Sequence, residues 1–162
     1  MTTIITNDAT TLHTALTAPL SYAIVADAEG KKDKDVSATF TIENPAKGTH
    51  ITFKIDRPAG FKTMLVSMMT GSDNETSYEY VGSMNRGLFI KKTDKDISAN
   101  ASTKLNAVRW YMIELGKAIK GENSRIGAVN LHHSGACACC GRKLTNPESL
   151  STGIGPICGA RL

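Results

Sequence analysis

The sequence predicts an α+β fold, in which an antiparallel sheet of about five strands carries one long amphipathic helix and a small C-terminal finger follows. Three observations support this prediction. Apolar and polar residues alternate through much of the stretch 36–92, apolar residues recur every three or four positions from 98 to 120, and all four cysteines follow residue 136. We therefore divide the chain into residues 1–35, 36–130 and 131–162.

The composition is that of an ordinary globular domain. Of the 162 residues, 41% are hydrophobic and 21% are charged, which excludes disordered and collagen-like chains. No apolar run approaches the roughly 20 residues that a membrane-spanning helix needs, and residues 1–20 lack the basic and apolar regions of a secretory signal. We therefore expect a cytoplasmic protein without membrane contact. The net charge of +4 is compatible with nucleic-acid binding but does not require it.

The N-terminal segment is expected to contain a short helix, a strand and a loop. The stretch from Asp8 to Leu16 predicts the helix, which should end before Pro19 because proline cannot donate a helical hydrogen bond. The stretch from Ser21 to Ala26 is apolar and β-branched, which favours a strand. Asp27 to Asp35 mixes acidic and basic residues around a glycine and predicts a solvated loop.

The sheet begins with a hairpin. Phe40 and Ile42 alternate with polar residues, and the same alternation returns in Ile51 to Ile55. Between them, Asn44 to Gly48 has the proline and glycine of a tight turn. Three further strands complete a meander and are predicted at Met64–Met69, Tyr78–Met84 and Leu88–Lys92.

The helix is predicted from Ser98 to Lys120. Its apolar stripe consists of Leu105, Val108, Met112, Leu115 and Ile119. Ser102 or Asn100 is expected to cap its start, and Gly121 suits its end. Arg125 to His132 predicts a last strand that leads into the cysteines.

The finger contains a metal-binding pattern. Cys137 and Cys140 are separated by two residues and followed by Gly141, a spacing that turns both thiolates toward one ion. Cys158 is the natural third ligand, because the glycine-rich stretch before it lets the chain return. Clustered cysteines of this kind favour Zn²⁺, and so small a unit depends on the metal for much of its folding energy.

The fourth zinc ligand is open between three residues. His133, four residues before the first cysteine, is our first choice, followed by His132 and then Cys139. The side chain of Cys139 should point away if Cys137 and Cys140 hold the same ion. The predicted site is therefore His133, Cys137, Cys140 and Cys158, with a structural role.

Residues 137–158 carry the pattern C-x2-C-G-R-x-L-x2-P-x-S-x3-G-x-G-P-x-C. This pattern resembles an uncharacterised family of phage and prophage proteins that end in a zinc-ribbon-like motif. The resemblance covers residues 131–162. It implies metal binding through the matched cysteines and a phage or mobile-element origin, and it implies no catalytic activity.

The expected function is macromolecular binding. No catalytic constellation accompanies the cysteines, so we expect neither an enzyme nor a small-molecule substrate. One candidate partner is nucleic acid or a nucleoprotein complex, contacted by basic residues near the finger and the end of the helix. The alternative is a host protein, such as a defence or transcription enzyme that the chain inhibits in an anti-CRISPR-like manner. The basic residues are Lys117, Lys120, Arg125, Arg142, Lys143 and Arg161.

Overall fold

The computed structural model describes residues 3–71 and 77–162. These residues contain an antiparallel sheet in the order β1-β7-β2-β3-β4-β5-β6. Its strands are β1 (Thr3–Ile4), β2 (Val36–Asn44), β3 (Thr49–Arg57), β4 (Met64–Met69), β5 (Tyr78–Met84), β6 (Ile90–Lys92) and β7 (Asn130–His133). The α-helices are α1 (Ala9–Ala28), α2 (Ala99–Ile119), α3 (Pro147–Thr152) and α4 (Pro156–Gly159). The α+β prediction is confirmed.

The meander from β2 to β6 forms as predicted. Phe40 faces Phe53 in the β2–β3 register, and the two rings stack with centroids 5.7 Å apart. Strand β6 begins at Ile90, later than expected, because Leu88 adopts a positive φ of 62° that ends the extended backbone before it. Helix α1 packs on β2 and β3 and α2 packs on β4 and β5, so the core lies between the two helices and one face of the sheet.

Helix α1 differs most from the prediction. The expected strand from Ser21 to Ala26 is wrong, because the helix continues through Pro19 to Ala28. Proline removes only one helical hydrogen bond, and the buried residues on both sides of it recur at helical spacing. Burial of this continuous stripe offsets the lost bond. The stripe consists of Leu12, Ala15, Leu16, Pro19, Tyr22 and Val25.

Helix α2 is confirmed, with changes at both ends. Its N-cap is Ser98, whose side chain accepts a 3.1 Å hydrogen bond from the Ala101 amide, so the predicted caps Ser102 and Asn100 are wrong. The Glu79 carboxylate of β5 accepts hydrogen bonds from the amide and hydroxyl of Ser98, which ties the cap to the sheet. At the other end Ile119 is 48% exposed, so the buried stripe ends one turn early.

The segment between α2 and the cysteines differs from the predicted strand. The predicted strand from Arg125 to His132 is replaced by a short 3₁₀ turn, Ile126–Ala128, and the strand β7. Strand β7 lies between β1 and β2, which extends the expected five strands to seven.

The finger begins within β7, and its remaining residues, 134–162, pack against β1 and α1 rather than standing free. Helix α3 contacts both elements, and the Thr6 amide donates a 2.8 Å hydrogen bond to the Ser151 carbonyl. Cys137, Leu144 and Cys158 are buried in the same apolar cluster as the residues under the sheet. In the described part of the chain, none of the helices has the length and apolarity needed to cross a membrane.

Candidate metal centre

Three of the predicted ligands come together. The sulfur atoms of Cys137, Cys140 and Cys158 all lie within 4.8 Å of one another. Cys137 and Cys158 are buried, and Cys140 is half-buried. A tetrahedral ion with metal–sulfur bonds near 2.3 Å would hold its sulfurs about 3.8 Å apart. The three residues therefore fit a metal ion with small side-chain movements.

A tight turn presents the first two cysteines. The Cys137 amide donates to the Arg142 carbonyl over 2.8 Å, and the Gly141 amide donates to the Cys137 carbonyl over 2.8 Å. Gly141 has a φ of 81°, a conformation that residues with a side chain rarely adopt. This turn brings residues 137 and 140 to the same side of the loop, as their spacing predicts.

The third cysteine arrives through two short helices. Gly153 ends α3 with a φ of 75°, and Pro156 then begins α4, which carries Cys158. The Gly155 amide between them donates a 3.3 Å hydrogen bond to the Cys137 sulfur. The Ala138 amide donates to the Gly153 carbonyl over 2.9 Å, which joins the return segment to the turn.

The three thiols influence one another strongly. The Cys140 and Cys158 thiols and the Gly155 amide stabilise the Cys137 thiolate and lower its pKa. The Cys137 thiolate in turn raises the pKa of Cys140 and of Cys158. A cation held by the three sulfurs would bind them as thiolates, so its binding would release protons.

The structure does not bring His133 to the cysteines. Its ring is buried, Nε2 donates a 2.6 Å hydrogen bond to the Leu150 carbonyl, and Nδ1 accepts a 2.9 Å bond from the Gly135 amide. These contacts leave the ring without a free donor atom, and they join the end of β7 to α3. The sequence could not distinguish this role from metal ligation, because both place a histidine just before the turn.

The other two candidates for a fourth ligand also lie outside the cluster. His132 points to the opposite face of β7, where its Nε2 lies 3.0 Å from a carboxylate oxygen of Glu43. Cys139 is fully buried and close enough to Cys158 to raise the pKa of that thiol, but it is not one of the three clustered sulfurs. Among the described residues, three cysteines are therefore placed so that they could hold a metal ion.

A cavity of about 380 Å³ lies beside the cluster. All three cysteines line it, together with the last turns of α1, the following loop and the finger. Four cationic side chains surround it, and we call them the cationic rim. Within the described residues, none of the four has an ion-pair partner. The rim consists of Lys31, Lys34, Arg142 and Lys143.

Two of these cations were missed in the sequence. Lys31 and Lys34 belong to the mixed-charge loop, and the two aspartates nearest to them bond to other parts of the fold. Asp33 pairs with Arg57 of β3, and Asp35 accepts a 2.8 Å hydrogen bond from the Ala59 amide. The loop therefore presents its lysines to the cavity while Asp33 and Asp35 are held elsewhere, and Glu29, which also lines the cavity, pairs with Arg161. A charged run alone does not show this separation.

The six predicted basic residues divide into two groups. Arg142 and Lys143 belong to the cationic rim, and Arg161 pairs over 3.0 Å with Glu29, which lines the cavity. Lys117 and Lys120 lie at the end of α2, Arg125 precedes the 3₁₀ turn, and none of the three lines the cavity. Lys117 pairs over 2.9 Å with Glu114, and the Arg125 guanidinium lies 5.6 Å from the centre of the Trp110 ring.

Comparison with known proteins gives one finding, which concerns the finger. Residues 132–162 match a family model described as a family of unknown function, DUF6011. The match covers the last fifth of the chain and includes all four cysteines. No curated protein and no solved structure matches the chain. The chain is therefore similar to this family over its finger.

Proposed function

We propose that the chain is a small, non-catalytic accessory protein that binds Zn²⁺ in its finger and contacts nucleic acid, or a nucleoprotein complex, through the cationic rim. The resemblance of the finger to phage and prophage proteins supports a phage-type origin. The observation that carries the proposal is the position of four cations without ion-pair partners beside the three clustered cysteines.

The donor set supports zinc. Thiolate ligands select soft or borderline ions, and Zn²⁺ is the ion most often held by cysteine clusters in small structural units. The finger has few buried apolar residues of its own, with Leu144 and Ile154 the largest. Cross-linking of the turn to α4 by an ion would therefore stabilise the segment that carries Arg142 and Lys143.

The charge distribution supports a polyanionic partner. The rim contains four positive charges, as many as the net charge of the whole chain. Phosphates attract such a group over several ångströms, and neutralisation of phosphates releases their counterions. Binding through the rim should therefore be strong at low salt and weaken steeply as the salt concentration rises.

The test is a salt titration of nucleic-acid binding. Fluorescence anisotropy should show that the zinc-loaded, nuclease-treated chain binds a short labelled single strand or duplex. The double variant Lys31→Gln/Arg142→Gln should reduce the slope of log K against log salt by about 1.4 for a single strand or about 1.8 for a duplex. The matched control is Lys91→Gln/Lys92→Gln on β6, which removes the same charge away from the cavity and should leave the slope nearly unchanged.

Two results would contradict the proposal. Absence of binding to both nucleic acids at low salt would refute the proposal. An equal loss of slope in both double variants would show that the cationic rim is not the binding surface. A host protein that stays bound in stoichiometric amount after nuclease treatment would favour the alternative, in which the chain inhibits a host enzyme.

A further inference from the structure

We infer that the metal centre has an exchangeable fourth ligand, and that the cavity beside it accepts a small organic thiol that carries an acidic group. The inference rests on the proposed metal site. It extends that site from a structural cross-link to a ligand-binding centre.

The described residues supply three of the four donors that a tetrahedral ion needs, because they place three sulfurs together. Both ring nitrogens of His133 are used in hydrogen bonds, and His132 lies on the other face of its strand. Cys139 is buried beside Cys158 but outside the group. None of the described candidates fills the fourth position, which is therefore open to a ligand from outside the chain.

The cavity gives an outside ligand access to the three clustered cysteines. All three clustered cysteines line the cavity, so an ion among them would border it. Its volume of about 380 Å³ is at the small end of the range for organic ligands. Tyr22 and Val25 of α1 and Ile157 of α4 supply apolar surface beside the cysteines. A compact organic molecule can therefore reach the ion and remain partly shielded from water.

The three cysteine ligands and the cationic rim favour a thiol that carries an acidic group. An ion held by three thiolates binds sulfur more strongly than hard oxygen donors. Three thiolates on a divalent ion leave one negative charge, and a fourth thiolate leaves two. The cationic rim offsets that charge and attracts an acidic group on the same ligand. In the binding step a water ligand would leave the ion, the thiol S–H bond would break, the metal–sulfur bond would form, and the proton would pass to solvent water. No electrons are transferred.

The experiment uses the full chain loaded with Co²⁺, whose sulfur-to-metal charge-transfer absorption reports the number of bound thiolates. Titration with mercaptoacetate should raise this absorption by about one third, from three thiolates to four, and then saturate. Hydroxyacetate, which lacks the thiol, should have no such effect. Cobalt retained with the protein after filtration is measured at each point, because free thiols also compete for the metal.

The charge of the ligand provides a second readout. Cysteamine, a thiol with a positive charge, should require a several-fold higher concentration than mercaptoacetate. The double variant Lys34→Gln/Arg142→Gln should raise the half-saturating concentration of mercaptoacetate several-fold. The same variant should leave that of 2-mercaptoethanol, an uncharged thiol, nearly unchanged.

The outcomes separate this inference from the proposed metal site. A chain that binds no cobalt refutes both. A chain that binds cobalt but shows no spectral response to mercaptoacetate refutes the exchangeable ligand alone. Loss of about one quarter of the charge-transfer absorption in Cys139→Ala would reveal an internal fourth thiolate and would also overturn the inference.

Discussion

The ion pair between Asp33 and Arg57 allows a quantitative prediction. The Arg57 side chain is 1% exposed, and its guanidinium donates to both carboxylate oxygens of Asp33 and to the backbone carbonyls of Phe61 and Lys34. Asp33→Asn removes the negative charge and leaves the guanidinium buried with its two carbonyl partners. Because Asp33 also fixes the loop that carries Lys34, this ion pair links the stability of the fold to the cationic rim.

The expected loss follows from the titration of Asp33. The Arg57 guanidinium and the Gly60 amide lower the pKa of its carboxyl from 3.8 to about 2. At about 1.4 kcal/mol per pKa unit, with an allowance for solvent screening of the quarter-exposed carboxylate, this corresponds to about 2 kcal/mol. A chain of this size should then melt roughly 4–8 °C lower.

The contribution of Asp33 to the stability of the fold depends on pH. Because the pKa of Asp33 is lower in the folded chain than in the unfolded one, its contribution is fully present above pH 3.8 and lost as the pH falls toward about 2. Urea denaturation between these pH values should show a steeper loss of stability in the wild type than in Asp33→Asn.

The control is Asp27→Asn, which removes the same charge from an exposed side chain at the end of α1 and should change stability little. Two results would refute the reasoning. One is an Asp33→Asn variant within about 0.5 kcal/mol of wild type at neutral pH. The other is equal pH dependence in the wild type and the variant.

Three further predictions concern the finger and the sheet. Removal of the metal by a chelator should expose the thiols of the cluster, so that a thiol reagent labels Cys137, Cys140 and Cys158 faster than in the loaded chain; equal rates would contradict a bound ion. His133→Phe should lower the free energy of unfolding by about 1–3 kcal/mol in urea denaturation, because it leaves the partly buried Leu150 carbonyl without its donor; an unchanged value would show that this bond is dispensable. Gly82→Ala should cost roughly 1–3 kcal/mol, because its Cβ would lie 2.1 Å from the Lys91 carbonyl oxygen; unchanged thermal unfolding would contradict this close approach of β5 to β6.

Much of the fold could be predicted because its signals are local. The meander from β2 to β6 joins neighbouring strands through short connections, and alternation sets which face each residue occupies. Helix α2 was found from its repeating apolar stripe. Only the first half of α1 was predicted, because Pro19 and the following β-branched run are unfavourable signals that burial against the sheet overrides. The insertion of β7 between β1 and β2 has no local signal at all.

The candidate site also has one part that the sequence predicts and another part that depends on tertiary contacts. The chain by itself determined the group of Cys137, Cys140 and Cys158, because a two-residue spacing, a glycine turn and a glycine-rich return are local geometry. Only the tertiary structure decided that His133 bonds to α3 instead of joining the cysteines. It also brought the lysines of the α1–β2 loop to the finger, because Asp33 is held by Arg57 on a distant strand. Contacts between residues far apart in the chain depend on packing, which sequence spacing does not record.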